Sequence, residues 1–158
     1  MDLVVRCAEL PAAGETVLAE SSMEFCGGKG ANQAVAASLS GGEVSMIGAI
    51  GNDAFADRLR GNLQQHGIDC KTVLQRGEFP SGLAVISVDQ RGQNSIMVVS
   101  GANGTMTPDT VRSAASTIQR ADALLVQLEI PIDAVLAGIQ IAKQAGVRVL
   151  FDPAPAIQ

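Results

Sequence analysis

Apolar and polar stretches alternate along the last third of the chain at the lengths of strands and helices. Residues 124–128 form a short apolar run, residues 132–144 predict a helix closed by Gly146, and residues 147–151 form a second apolar run. A strand, a helix and a strand in this order make a βαβ unit, whose two strands lie parallel. The pattern therefore predicts an α/β fold built on a parallel sheet.

Two further helices are marked by the residues that start them. Asp53 is placed to cap a helix that runs to about His66, and we expect it to do nothing more. Thr107 is placed to cap a helix whose first residue is Pro108 and which extends to about Gln119. His66, the only histidine, therefore lies at a helix end rather than at a catalytic position.

Five more stretches have the composition of strands, with β-branched and apolar residues bounded by turn formers. They are residues 3–7, 16–23, 43–50, 81–89 and 94–100. The last two stretches are separated by a short polar segment that ends in Gly92, which predicts a hairpin.

Composition and charge narrow the class of protein. The 158 residues, 47% of them hydrophobic and 17% charged, are typical of one globular domain. A net charge of −5 and a 3% aromatic content, with no Trp or Tyr, argue against nucleic acid and anionic membranes as partners. Three widely spaced cysteines and the lack of a signal peptide predict a cytoplasmic protein without disulfides.

A glycine loop with one lysine, Gly27-Gly28-Lys29-Gly30, is the segment most suggestive of a binding site. An alanine-rich run follows it and predicts a helix to about Leu39. The first N–H groups of a helix lack intrahelical partners and carry partial positive charge, and the Lys29 ammonium adds a full charge. Such a loop would suit an oxygen-rich ligand.

Two familiar phosphate-binding motifs do not fit this loop. A Walker A motif would need glycine at Met23 and Ser or Thr at Gly30, and the dinucleotide fingerprint would need glycine at Gln33. Residue types alone leave a second interpretation open, in which the loop is a tight turn before a closely packed helix of small residues.

Residues 27–36, which read GGKGANQAVA, resemble a signature of the ribokinase (pfkB-type) family of sugar kinases. In that family the second glycine, the lysine and the asparagine of the signature line the sugar pocket. The positions that the resemblance implies here are Gly28, Lys29 and Asn32, with Gly30 and Ala31 as the backbone between them.

Three acids are further candidates for the site. Asp2 matches the end of the family's Asn-x-Asp element, whose aspartate binds sugar hydroxyls, although a solvated terminal aspartate is the alternative. Glu129 and Asp152 follow predicted parallel strands, at the edge where α/β sheets bind ligands. The segment that ends in Glu129 also resembles the family segment with a sugar-binding glutamate. Asp152 begins a family-like Asp-Pro-Ala-Pro-Ala segment, where direct ligand contact and a purely structural role both stay open.

The resemblance also implies an architecture. Residues 1–158 would form part of a sugar-binding domain, truncated at both ends, with a mostly parallel sheet flanked by helices. The strands at 3–7, 16–23, 81–89 and 94–100 would form a small β lid over the sugar, which in the family often pairs with its copy in a homodimer.

The implied activity is the ATP-dependent phosphorylation of D-ribose at its 5-hydroxyl, with Mg²⁺ and activation by K⁺. The catalytic base, the nucleotide pocket and the cation sites of the family come from later segments, so the base is expected beyond residue 158 and no residue here is a predicted metal ligand. We therefore expect the isolated 158-residue chain to lack kinase activity.

Three other functions remain to be weighed. A related kinase could act on fructose or adenosine, although scarce aromatics disfavour a nucleoside. A sugar-binding module without chemistry is the second, and a dinucleotide dehydrogenase, disfavoured by Gln33, is the third. The sugar-kinase hypothesis requires Lys29 and Glu129 to meet at one site, and it fails if they lie on unrelated faces.

Overall fold

The structure, a computed structural model that describes residues 1–156, alternates strands with helices in the order that an α/β fold requires. Its strands are β1 Asp2–Cys7, β2 Ala19–Phe25, β3 Ser45–Ile50, β4 Asp69–Gln75, β5 Leu83–Val88, β6 Asn94–Val99, β7 Ala123–Val126 and β8 Arg148–Phe151. Its α-helices are α1 Lys29–Leu39, α2 Ala54–Gln65, α3 Pro108–Ser113, α4 Ala115–Gln119 and α5 Ile132–Ala145. Among these residues every helix is too short or too polar to cross a lipid bilayer. Residues 157–158, the end of the predicted domain, lie outside the described residues.

Two pairs of parallel strands are each connected by a helix. β7 and β8 pair in parallel around α5, as the apolar pattern predicts, and β3 pairs in parallel with β4 around α2. β4 has no counterpart among the predicted strands. Its sequence mixes apolar and polar residues, and only Cys70 and Val73 are buried, so it lacks the strict alternation that marks a half-buried strand.

The remaining four strands form one sheet in the order β2-β1-β5-β6. β1 pairs in parallel with β5, β5 and β6 form the predicted hairpin, and β2 runs antiparallel to β1. The prediction for β2 started too early: the strand begins at Ala19, opposite Cys7, and ends at Phe25, opposite Asp2. Its limits are therefore set by the length of β1, which the sequence of β2 does not reveal.

The predicted helix from Pro108 to about Gln119 is two helices, so that prediction was wrong in its continuity. Thr107 caps α3 as expected, with its hydroxyl accepting the Thr110 N–H. The Ser113 hydroxyl donates to the Thr110 carbonyl oxygen at 2.7 Å, which is the acceptor that Ala114 would need in a continuous helix. The Ala114 N–H donates instead to the Val111 carbonyl oxygen at 3.0 Å, and the chain breaks there between α3 and α4.

Two apolar clusters hold these layers together. One surrounds α5 and includes Val111 and Ile118, while the other surrounds α2 and includes Leu63 and Val73. Ala34 of α1 belongs to the second cluster. Helix α1 is thereby anchored on the sheet with its first turn close to the carboxyl end of β7, where it contacts Glu129.

Candidate functional site

The glycine loop ends in a residue that only glycine accommodates well. Gly28 is the N-cap of α1 and has φ +100° and ψ 134°, a backbone conformation that favours glycine. Its carbonyl oxygen accepts the Asn32 N–H at 2.9 Å and so starts the helix. Because Gly28 has no side chain, it offers no cap to the other N–H groups of the first turn.

Glu129 supplies the missing cap from a distant part of the chain. Its Oε2 accepts the backbone N–H of Lys29 at 2.7 Å, and it lies 3.7 Å from the position that a Cβ on Gly28 would occupy. A carboxylate is favoured at a helix N-terminus, where it meets the positive end of the helix dipole. The structure therefore brings the backbone of Lys29 and the carboxylate of Glu129 together at the start of α1.

Asp2, the first residue of β1, reaches the same loop from the four-stranded sheet. A Cβ on Gly27 would lie 2.0 Å from Oδ2 and 2.6 Å from Oδ1 of Asp2, so any larger residue at position 27 would overlap the carboxylate. Gly27 is buried. Its role was not predicted, although the paired glycines of the motif are a signal of close backbone approach. Two carboxylates thus lie close to residues 27–29, Asp2 at Gly27 and Glu129 at Gly28 and Lys29.

The other predicted positions differ in their surroundings. Gly30 adjoins the side chain of Gln127, whose Oε1 lies 3.1 Å from the position of a Cβ on Gly30. Ala31 packs against the cluster around α2, so its side chain belongs to the core. Asn32 is exposed at the start of α1. That any of these residues binds a sugar stays a prediction.

A chain of three polar side chains, which sequence reasoning did not identify, lies beside the loop. The Gln33 side-chain amide donates to Oδ2 of Asp152 at 3.3 Å, and the Gln127 amide donates to Oε1 of Gln33. Gln127 and Asp152 lie directly after β7 and β8, and Gln33 lies on α1. Position beyond a strand end was the available signal for Gln127.

Asp53 does more than the predicted cap. Its carboxylate accepts the N–H groups of Phe55 and Ala56 at the start of α2, and also the N–H and hydroxyl of Ser81, at 2.6 and 2.8 Å. Burial opposes ionisation of Asp53, but these hydrogen bonds, those from Ser81 foremost, hold its pKa below the ordinary value. Asp53 therefore also holds the segment that leads into β5 of the four-stranded sheet.

Two depressions of the surface are lined by residues other than Lys29 and Glu129. A depression of about 410 Å³ lies beside α2 and is bordered by Cys26 and Arg58, and one of about 500 Å³ lies beside Arg76 and Thr107. Within residues 1–156 no three His, Cys, Asp or Glu side chains gather in a way that could hold a metal. No metal ligand is assigned in this part of the chain.

The groups at the site include both hydrogen-bond acceptors and hydrogen-bond donors. Asp2 and Glu129 are acceptors, Lys29 is a donor with three N–H groups, and the first-turn amides are further donors. Hydrogen bonds to charged partners each contribute about 1.5–3 kcal/mol, enough to select a ligand by the pattern of its hydroxyl groups.

These groups lie at the strand ends of an α/β fold, which is the usual place of a small-molecule site in folds of this class. Residues 1–158 match the family described as pfkB family carbohydrate kinase, and the chain belongs to that family. The predicted family and the predicted ribokinase-like α/β fold are both confirmed.

Individual relatives include ribose and deoxyribose kinases. The chain is 37% identical over 158 residues to the deoxyribokinase of Salmonella typhi, covering 100% of this chain and 52% of the relative. It is 38% identical over 156 residues to the ribokinase of Mus musculus, covering 99% of this chain and 48% of the relative. The solved structure of Arabidopsis thaliana ribokinase complexed with ribose and ATP matches with a TM-score of 0.84 and 31% identity, over 97% of this chain and 50% of that chain. The chain thus spans about half the length of these relatives.

Proposed function

We propose that this chain supplies the sugar-binding part of a ribokinase-type enzyme, which phosphorylates the 5-hydroxyl of D-ribose with ATP. The observation that carries the proposal is the contact between Lys29 and Glu129 at the N-terminus of α1, in a chain of the pfkB family. Two carboxylates and a lysine around one glycine loop suit a ligand with several hydroxyl groups better than an anionic one, because the carboxylates would repel anions.

Each predicted residue has a role in this binding. Asp2 and Glu129 accept hydrogen bonds from sugar hydroxyls, and Lys29 and Asn32 donate to them. Gly28 lets the backbone approach the ligand closely, since it lacks a Cβ and has positive φ. Gly30 and Ala31 hold the backbone between these groups, with Gly30 leaving room for Gln127 and Ala31 packed in the core.

The transfer step needs groups that we do not assign within this chain. ATP is the proposed donor, Mg²⁺ and K⁺ are the proposed ions, and the catalytic base is expected beyond residue 158. The described residues offer no cluster of His, Cys, Asp or Glu side chains that could hold a metal. The 158-residue polypeptide is accordingly expected to bind ribose without phosphorylating it. A cytoplasmic location goes with the use of ATP.

Calorimetric titration of the 158-residue chain with D-ribose tests the proposal. We expect saturable binding to the unmodified chain, and a loss of at least tenfold in affinity for both Lys29→Ala and Glu129→Gln. Lys143→Ala and Glu78→Gln are matched controls, since Lys143 and Glu78 are exposed and far from the loop in sequence. Unchanged affinity in both site variants would refute the site assignment, and ribose-dependent ATP consumption by the chain would refute its predicted inactivity.

2-Deoxy-D-ribose is a second candidate substrate, because a deoxyribokinase is 37% identical over all 158 residues. The two sugars differ only in the 2-hydroxyl. We expect ribose to bind more tightly than deoxyribose, because deoxyribose lacks the 2-hydroxyl and therefore the hydrogen bond that this group would make with a charged side chain. Equal or reversed affinities would favour deoxyribose. Fructose and adenosine are titrated in the same way, to test for a related kinase. If longer versions of the chain bind a sugar but do not phosphorylate it, the protein is a sugar-binding module without chemistry.

The four-stranded sheet β2-β1-β5-β6, which we propose to be the lid, is also the proposed dimer interface. Both of its edge strands, β2 and β6, are exposed along their whole length, and Met97 and Val98 of β6 are more than 60% exposed on opposite faces. Sedimentation equilibrium tests this proposal. Met97→Glu or Val98→Glu is expected to convert the dimer to a monomer, and a monomeric unmodified chain would contradict it.

A further inference from the structure

Asp152 is joined to the glycine loop through two glutamine side chains. Its Oδ2 accepts the Gln33 amide at 3.3 Å, and Oε1 of Gln33 in turn accepts the amide of Gln127. The three side chains come from α1 and from the segments that follow β7 and β8. They form one line of hydrogen bonds across the strand ends, beside the proposed sugar site.

The carboxylate at the end of this line determines how both amides are oriented. An ionised carboxylate only accepts hydrogen bonds, so Gln33 presents its NH₂ group to Asp152 and its oxygen to Gln127. Gln127 must then present its own NH₂ group to Gln33. Its remaining oxygen, Oε1, is left facing Gly30 of the loop, 3.1 Å from where a Cβ would stand. One charge thus fixes the donor and acceptor pattern of two neutral side chains.

The same line joins the two segments that make the Lys29–Glu129 contact. Gln33 lies four residues after Lys29, one turn along α1, and Gln127 lies two residues before Glu129. At the Asp152 end of the line, a backbone hydrogen bond also holds the two segments together: the Asp152 N–H donates to the Val126 carbonyl oxygen at 2.9 Å. Movement of Gln33 relative to Gln127 would therefore move Lys29 relative to Glu129.

We propose that Asp152 is a positioning residue, which holds Lys29 and Glu129 in register through Gln33 and Gln127 and does not itself contact the sugar. This inference rests on the proposed function for its effect on ribose. The positioning of Lys29 by Asp152 can be tested independently of the proposed function, because the Lys29 amide can be observed without any ligand.

The first test is amide NMR and hydrogen exchange on the 158-residue chain without sugar. In Asp152→Ala we expect the side-chain amide signals of Gln33 and Gln127 to shift, and exchange of the Lys29 amide to accelerate about tenfold. Asp152→Asn keeps an acceptor oxygen but loses the charge and gains a donor, so we expect signals between those of the unmodified chain and those of Asp152→Ala. Asp122→Ala, at an exposed aspartate before β7, is the control. A Lys29 amide that exchanges at the same rate in Asp152→Ala would overturn the proposal.

The second test is ribose affinity. We expect Asp152→Ala and Gln33→Ala each to weaken ribose binding about fivefold to tenfold, and the double variant to be no worse than either single one. Asp152→Asn is expected to bind with an affinity between those of the unmodified chain and Asp152→Ala. Effects of Asp152→Ala and Gln33→Ala that add up in the double variant would contradict a role of Asp152 that acts through Gln33. If Asp152→Ala does not fold, Gln33→Ala carries both tests. Binding that is unchanged in these variants refutes the positioning role, while a lack of ribose binding by the unmodified chain refutes the proposed function and leaves the exchange result to decide the geometry.

Discussion

The Glu129 carboxylate accepts the backbone N–H of Lys29 at 2.7 Å, although 100 residues separate the two in the chain. This one hydrogen bond caps α1, whose N-cap glycine has no side chain, and ties the helix to the segment after β7. It uses only one of the two carboxylate oxygens. Oε1 retains its capacity to accept hydrogen bonds from a ligand.

Substitutions at Glu129 should separate its structural role from its binding role. Glu129→Gln keeps an oxygen that accepts the Lys29 N–H, so we expect a loss in unfolding free energy below about 1 kcal/mol. Glu129→Ala leaves that amide without its partner and is expected to cost about 1–2 kcal/mol. Urea denaturation measures both, and equal stability of the Ala and Gln variants would contradict the capping role.

Gly27→Ala should destabilise the chain for a steric reason alone. The added Cβ would fall 2.0 Å from Oδ2 of Asp2, and such overlap typically costs about 1–3 kcal/mol. The double variant Asp2→Ala/Gly27→Ala is expected to regain most of this loss, because the clashing carboxylate is gone. Gly61→Ala is the control, since a Cβ there meets open space within α2. Thermal unfolding of these four proteins and of Asp2→Ala tests the contact. Losses of Asp2→Ala and Gly27→Ala that simply add up in the double variant would disprove it.

The stability of the chain should depend on acid pH through Asp53. Because hydrogen bonding lowers the pKa of Asp53 in the folded state, its contribution is complete above the ordinary pKa of 3.8 and is lost as the pH falls through the lowered value. Asp53→Ala is expected to cost about 1–2 kcal/mol at pH 7. The difference in stability between the unmodified chain and this variant should shrink in urea titrations below pH 3.8. A difference that stays constant down to pH 2 would contradict it.

One face of the β7–β8 pair should bind an apolar dye. Leu125 and Leu150 are neighbours in register and are 43% and 51% exposed, while Leu124 and Val149 on the other face pack against the cluster around α5. Parallel sheets are normally covered on both faces. The fluorescence of anilinonaphthalene sulfonate is expected to rise with the unmodified chain and to fall in Leu125→Thr/Leu150→Thr. Leu18→Thr, at an isolated leucine that is 92% exposed, is the control.

The sequence predicted secondary structure correctly where the signals for an element lie within the element itself. The βαβ unit around α5 is confirmed because its apolar runs and its closing Gly146 are all local signals. β4 was missed, and the helix after Thr107 was wrongly drawn as continuous, because each depends on one contact that composition does not show. For β4 that contact is the pairing with β3, and for the helix it is the Ser113 hydroxyl on the Thr110 carbonyl.

For the candidate site, the order of amino acids was enough to indicate the family signature, the lysine in its glycine loop and the acids beyond two strands. These are properties of short segments. Glu129 and Asp152 each follow a parallel strand, and the carboxyl ends of parallel strands lie at the same edge of the fold. Which atoms meet was settled by long-range packing. Gly27 against Asp2, Lys29 against Glu129 and the line from Asp152 to Gln127 join segments far apart in the chain, and their approach depends on how helices and sheets stack around two apolar clusters.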